Sequence, residues 1–188
     1  GYRTIAVYSE ADAGAPHVLM ADDVACIGPA PVGQSYLVID KILEAARQTG
    51  AEAIHPGYGF LSENADFARA CEAAGLVFIG PDAESIDLMG NKAQAKRRMI
   101  NASVPCVPGY EEEDQSADVM IAAAGEIGFP LMVKAAAGGG GRGMRLVHKV
   151  EDMAEALRSA GSEALNAFGS DELILEKAII QPRHVEIQ

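Results

Sequence analysis

The segment Pro130-Leu-Met-Val-Lys134-Ala-Ala-Ala-Gly138-Gly-Gly-Gly-Arg142-Gly143-Met-Arg145-Leu-Val147 constrains this chain more than any other. An apolar run ends in a lysine. Four consecutive glycines follow, then Arg-Gly, then a second apolar run. Glycine lets backbone N–H groups approach an anion without side-chain interference, at dihedral angles other residues avoid. A neighbouring lysine adds fixed positive charge. The combination suits phosphate, and the flanking runs decide what kind of phosphate loop it is. A flexible linker would not sit between two strand-like runs with a lysine at the hinge.

Gly138, Gly140 and Gly143 have the spacing of the dinucleotide fingerprint, but that fingerprint needs a helix directly after the loop. Here Met144 to Val147 reads as a strand. No Gly-Lys-Ser/Thr closes the loop, which excludes a Walker motif. A glycine hairpin folded over phosphates remains, as in protein kinases and ATP-grasp ligases. In kinases the lysine follows the loop on the next strand. Lys134 precedes it, which favours ATP-grasp.

The chain has 188 residues, 49% of them hydrophobic, enough for one large or two small domains and against disorder. Its formal net charge of −12 argues against nonspecific nucleic-acid or anionic-membrane binding. No apolar run is long enough to span a bilayer, and Gly1 to Tyr8 opens as a strand rather than a signal peptide. Cys26, Cys71 and Cys106 show neither zinc spacing nor a disulfide framework, so a reduced, cytosolic-type compartment is expected, with Cys71 as core packing.

Along the chain, Thr4 to Tyr8 reads as a strand and Ser35 to Gln48 as a helix with Ser35 its N-cap. Ala53-Ile54 is a short strand leading into His55-Pro-Gly-Tyr-Gly-Phe60. Asn64 to Ala74 is a helix closed by Gly75, and Leu76 to Ile79 a strand. This rhythm implies a mostly parallel α/β sheet with crossover helices. Ala83 to Ala102 is helical, broken near Met89-Gly90-Asn91. Val104 to Gly109 is extended, because residues before proline avoid helix. Glu111 to Asp118 reads as a solvated acidic loop, and the Lys96-Arg97-Arg98 cluster as a solvated helix face. Val119 to Ile127 and Val150 to Phe168 are helices, Glu172 to Ile180 a strand, and His184 to Gln188 the start of another.

Seven blocks, in order, resemble biotin carboxylase. They are Cys26-Ile-Gly-Pro-Ala-Pro31 with Ser35-Tyr-Leu, Ile54-His-Pro-Gly-Tyr-Gly-Phe-Leu-Ser-Glu-Asn64, Phe78-Ile-Gly-Pro81, Met89-Gly-Asn-Lys92, Val104-Pro-Cys-Val-Pro-Gly109, Lys134 to Arg145, and Pro182-Arg-His-Val-Glu-Ile-Gln188. Val32-Gly-Gln-Ser-Tyr and the acidic residues after Gly109-Tyr look most like methylcrotonoyl-CoA and geranoyl-CoA carboxylase subunits. The resemblance implies an α/β fold. Residues 1–82 would be a pre-ATP-grasp, Rossmann-like parallel-sheet domain lacking its first strand. Residues 83–188 would be a partial ATP-grasp domain, with a lid over about 106–178 and the start of the catalytic sheet. It also implies an internal fragment, with the metal-binding glutamates, bicarbonate-binding groups and biotin-linked arginine lying downstream. No catalytic or metal-binding residue is therefore expected within this span.

The same resemblance assigns roles. Lys134 would contact the α- and β-phosphates of ATP, a role that also suits a point charge at a strand end. Lys92 would contact nucleotide; Asn91 stands where the family usually carries Asp. Gly138, Gly139, Gly140 and Gly141 would cover the phosphates. Glu176, Lys177, Ala178 and Ile179 would hold adenine, largely through backbone groups, and His184 would contact nucleotide with Glu186 behind it. His55, Tyr58 and Glu63 lie where doubly wound folds place ligands, but Pro56, Gly57 and Gly59 make the loop a structural turn, which is the reading adopted.

The expected reaction is ATP-dependent carboxylation of biotin with bicarbonate through carboxyphosphate, with Mg²⁺ as metal and biotin as carried substrate. Expected partners are bicarbonate, a biotinyl carrier domain, a carboxyltransferase subunit and a second copy in a homo-oligomer. Neither nucleic acid nor membrane is among them. The expected location is the cytoplasm, or the mitochondrial matrix in a eukaryote. The alternatives are another ATP-grasp carboxylating ligase, of carbamoyl-phosphate synthetase or purine-pathway type, and a noncatalytic nucleotide-binding module.

Overall fold

The computed structural model describes residues 1–138, 141–183 and 185. The chain divides into two compact units, Gly1–Asp87 and Leu88–Gln188.

In the first unit β1 (Ile5–Ser9) is followed by the short helix α1 (Pro16–Met20) and by β2 (Asp23–Gly28), which pairs with β1 in parallel. Helix α2 (Ile39–Thr49) buries Ile42, Ala45 and Ala46, positions three or four apart that share one face. Gly50 ends it in the left-handed conformation, φ +65°. Next come β3 (Ala53–Ile54), α3 (Ala65–Ala73) and β4 (Val77–Phe78), with β3 and β4 again parallel. The Asn64 side chain accepts the Phe67 N–H at 2.8 Å and so caps α3. Ile27, Ile42, Ala45, Leu61, Phe67 and Cys71 form the core, and the Phe67 and Phe78 rings meet edge-to-face at 5.9 Å. Burial raises the Cys71 thiol pKa, as expected of a cysteine used for packing.

Ser35 does not cap α2. Residues Val32–Gln34 form a 3₁₀ turn first, and the buried Ser35 hydroxyl donates back to the Pro31 carbonyl at 3.1 Å. The helix therefore starts four residues later, at Ile39, with Val38 as its N-cap. Helix α4 (Ala83–Gly90) closes this part of the chain, with Ile86 buried against Ala65 and Ala68.

The second unit contains α5 (Lys92–Asn101), β5 (Gly109–Tyr110), α6 (Ala117–Ile127), β6 (Leu131–Ala135), β7 (Met144–Val147), α7 (Met153–Phe168) and β8 (Leu173–Lys177). Its four strands form one antiparallel sheet in the order β5-β8-β6-β7. Strand alternation sorts the side chains. Leu131, Val133, Leu173 and Leu175 join Met120, Ala124, Met153, Leu157 and Ala160 in a core that covers one sheet face with α6 and α7. Ile174, on the opposite face, packs against Ala93 of α5 and Ala136.

Phe67 is 2% exposed and occupies the centre of the first core. Phe67→Ala should lower the unfolding free energy by about 3–5 kcal/mol in urea denaturation, through lost transfer energy and a cavity. A loss well below that would show that the site collapses around the smaller side chain.

Candidate functional site

The glycine segment joins β6 to β7, as the apolar flanks require. Lys134 pairs with Met144 across the hairpin and with Ile174 on β8. That register makes Glu176 its diagonal neighbour on the same sheet face, within reach of a long side chain. The Lys134 ammonium donates to the Glu176 carboxylate at 2.5 Å, and both side chains are mostly buried.

Helix α5 supplies the second lysine. Asn91 caps it by accepting the Gln94 N–H at 2.9 Å, which leaves Lys92 as its first residue. The Lys92 N–H donates to the Ala136 carbonyl at 2.9 Å, and its ammonium donates to the Gly138 carbonyl at the start of the loop. Burial pushes the Lys92 pKa below the ordinary lysine value, and the Lys134 charge pushes it further; Glu176 partly opposes both. Two ammonium groups that repel one another thus converge on the mouth of a glycine loop. Such a site favours a polyanion that can lie between them.

Both ends of the loop are pinned. Gly138 has φ +72°, and a side chain there would run into the Phe168 ring. Gly143 has φ +65°, and a Cβ would sit 2.9 Å from the Ala135 methyl. Only glycine meets both demands. The Gly143 N–H, then Arg145, hold the Glu163 carboxyl below its ordinary pKa, tying the far end of the loop to α7. Gly141 has φ +76°, and a Cβ there would only touch the Met144 sulfur at 3.9 Å. Gly139, Gly140, His184 and Glu186 lie outside the described residues.

The segment after Glu176 offers a specific set of backbone groups. The Lys177 N–H donates to the Pro108 carbonyl at 2.8 Å and the Ala178 N–H to Pro130 at 3.0 Å. The Lys177 ammonium donates to the Phe129 carbonyl at 2.9 Å. Among the described residues no acceptor takes the Ile179 N–H. Lys92, Lys134, Gly138 and Glu176 are thus brought together. The Lys177 and Ala178 N–H groups are committed elsewhere.

Two expectations fail here. Lys96 does not lie on a solvated helix face: it is 8% exposed, and its ammonium lies 3.3 Å from Glu111 and 3.5 Å from Glu176. Glu111 is correspondingly buried rather than part of a solvated loop, and Arg97 donates to its carbonyl. The charge run hides a buried ion pair because Lys96, three residues after Ala93, shares the buried side of α5 with it. An open groove of about 590 Å³, lined by Lys96, Glu111, the 103–109 segment, Glu126 and Ile127, does not include Lys92 or Lys134.

In the first unit the His55 ring nitrogen accepts the Gly57 N–H at 3.0 Å, and Gly57 and Gly59 take positive φ, as a structural turn requires. Tyr58 is almost fully exposed. Among the described residues no group of three or more His, Cys, Asp or Glu side chains could hold a metal ion, and no helix is long and apolar enough to cross a membrane.

Asn91 does two things at once, since its amide also donates to the Glu172 carboxylate at 2.8 Å. Asn91→Asp keeps the cap and gains about 0.3–1 kcal/mol from the helix dipole. It loses a charge-assisted hydrogen bond worth about 1.5–3 kcal/mol and sets two carboxylates together. A net loss of about 1 kcal/mol or more is expected in denaturant unfolding, relieved by Glu172→Gln in the same chain.

Comparison with known proteins adds an independent line. Residues 1–86 match the family model of the biotin carboxylase N-terminal domain, and residues 91–188 that of the carbamoyl-phosphate synthase L chain, ATP binding domain. The mitochondrial methylcrotonoyl-CoA carboxylase subunit alpha of Dictyostelium discoideum is 51% identical over the whole of this chain, which spans 27% of that protein. The propionyl-CoA carboxylase alpha chain of Ruegeria pomeroyi is 50% identical over the whole chain, 28% of its length. The chain thus spans about a quarter of the length of these relatives. The crystal structure of a biotin carboxylase–beta-gamma-ATP complex from Campylobacter jejuni is similar at a TM-score of 0.90 and 47% identity, over 95% of this chain and 40% of that one. The biotin carboxylase domain dimer of Hydrogenobacter thermophilus 2-oxoglutarate carboxylase, in complex with MgADP, ADP and bicarbonate, is similar at 0.86 and 46%, over 95% of this chain and 39% of that one.

Proposed function

The chain belongs to the biotin carboxylase family, and we propose that it supplies part of the ATP site of an acyl-CoA carboxylase alpha subunit, which carboxylates biotin with bicarbonate through carboxyphosphate. The observation that carries this reading is the convergence of Lys92 and Lys134 on the Gly138 end of the loop. The match of residues 1–86 to the biotin carboxylase N-terminal domain favours it over a carbamoyl-phosphate synthetase-type enzyme.

Each residue has a defined role in this proposal. Lys134 leaves Glu176 and takes the α- and β-phosphates as a point charge. Lys92 releases the Gly138 carbonyl and meets the same polyanion, which restores the pKa that burial and Lys134 had lowered. Gly139, Gly140 and Gly141 bring loop N–H groups over the phosphates, and closure keeps water from the carboxyphosphate. Adenine is read by the Lys177 carbonyl and the Ile179 N–H, the donor left over on that edge. His184 contacts the nucleotide. Mg²⁺, when bound, neutralises phosphate charge, and its ligands are assigned to no described residue of this chain. The partners are bicarbonate, a biotinyl carrier domain, a carboxyltransferase subunit and a second copy of the alpha subunit. The location is the cytoplasm or, as for several relatives, the mitochondrion.

In a full-length alpha subunit ATP cleavage should depend on bicarbonate and biotin; cleavage indifferent to both overturns the assignment. Lys134→Ala should weaken the ATP interaction by about 1.5–3 kcal/mol, read as a raised KM in a chain that still folds but melts lower because Glu176 loses its partner. A melting temperature that falls while KM stays constant would make Lys134 structural.

The lowered Lys92 pKa fixes a pH dependence. Phosphate binds the protonated lysine and raises its pKa, so nucleotide affinity is fully present below the free protein's lowered value. It should fall as pH rises through that value, before the ordinary 10.5 is reached. Calorimetric titration with an ATP analogue should show proton uptake in that window, and Lys92→Met should abolish it.

A further inference from the structure

The nucleotide site proposed above makes no use of one buried charge, the ammonium of Lys96. Lys96 follows Lys92 by one helical turn on α5. Its Nζ lies 3.5 Å from Glu176 Oε1 while Lys134 holds Oε2 at 2.5 Å, so the two lysines grip opposite oxygens of one carboxylate. Glu111 Oε2 lies 3.3 Å from the same Lys96 Nζ. Charges therefore alternate along Glu111, Lys96, Glu176 and Lys134. Neither Lys96 Nζ nor Glu111 Oε2 has hydrogen-bond geometry with any described residue. The room for the lysine head exists because residue 109 is glycine; a Cβ there would strike Lys96 Nζ and the Leu175 carbonyl.

This arrangement bears on what nucleotide binding demands. Phosphate that draws Lys134 toward the loop does so at the expense of its contact with Glu176. The abandoned carboxylate is mostly buried and close to the incoming phosphates, a costly position for an unpaired charge. Lys96 already stands on its free oxygen, at ion-pair distance but short of hydrogen-bond geometry, with a closer approach still to make.

We propose that Lys96 is the positioning residue that takes over Glu176 when phosphate draws Lys134 away, and that Glu111 tunes the exchange by competing for Lys96. This rests on the reading of Lys134 as a phosphate ligand. Lys96 touches no substrate itself. It acts by lowering the cost of releasing Lys134. With Lys96 neutral, Glu176 keeps Lys134, and phosphate must compete with an undiluted ion pair. With Glu111 neutral, Lys96 turns wholly to Glu176, and Lys134 is freed more easily.

The test is the affinity of a full-length alpha subunit for a nonhydrolysable ATP analogue, by calorimetry, with melting temperatures alongside. Lys96→Met should weaken binding by roughly tenfold, and Lys96→Arg should restore most of it. In a Glu176→Gln background, where no carboxylate is abandoned, Lys96→Met should cost nothing. Glu111→Gln should act in the opposite direction and tighten binding several-fold. A purely structural lysine would lose affinity equally in both backgrounds, and either that result or an unchanged or weakened Glu111→Gln overturns the proposal. If Lys96→Met does not fold, the sign of the Glu111→Gln effect decides. Unchanged affinity in Lys134→Ala would instead show that the phosphate reading itself is wrong.

Discussion

The pairing of β6 with β8 is the constraint on which the second unit depends. Side chains alternate across a strand, so this one register places Leu131, Val133, Leu173 and Leu175 against α6 and α7 and presents Lys134 and Glu176 on the opposite face. A slip of one residue in β8 would drive Glu176 into the helix-packed core and expose Leu173 and Leu175, and a slip in β6 would bury Lys134 and expose Leu131 and Val133. The same pairing energy that builds the core therefore also brings the lysine and the glutamate together. The charged pair needs no stabilising contribution of its own to be formed there.

Helix α5 then completes the site from the other face. Asn91 fixes where the helix begins, Ala93 packs onto Ile174, and Lys92 and Lys96 fall on successive turns over the two charges of the sheet. The spacing of four residues along a helix and two along a strand is what allows two lysines to address one carboxylate and one loop. Lys92 faces Gly138 and Lys96 faces Glu176 and Glu111, so two cations of the same helix serve different ends of the same site.

Much of this was legible in the sequence where the pattern is local. The hairpin with Lys134 before the glycines, the helix break at Asn91, and the α3 helix between Asn64 and Gly75 each carry their signal within a few residues. The α/β class and the family followed from motifs in order. What depended on a competing local turn or on long-range contact was not legible. Ser35 looks like a helix cap, but the Val32–Gln34 turn takes its hydroxyl back to Pro31. β2 has no clean alternation to announce it and gains its place by pairing with β1. Lys96 and Glu111 each sit in a run of like-charged residues, and nothing in either run says that this one member of each turns inward to meet the other. Burial of an opposite-charge pair between separate segments of the chain is a tertiary property.

Phe168 has a consequence beyond packing. As the last residue of α7 it lays its ring where a side chain at position 138 would stand, and so restricts the start of the loop to glycine. The length of a surface helix is thereby coupled to the composition of a loop thirty positions earlier in the chain. One residue inserted or deleted within α7 would rotate Phe168 by about 100° and lift the ring away. The steric bar at 138 would then go while its φ of +72° would still favour glycine, so two independent constraints hold that position and helix length sets only one of them.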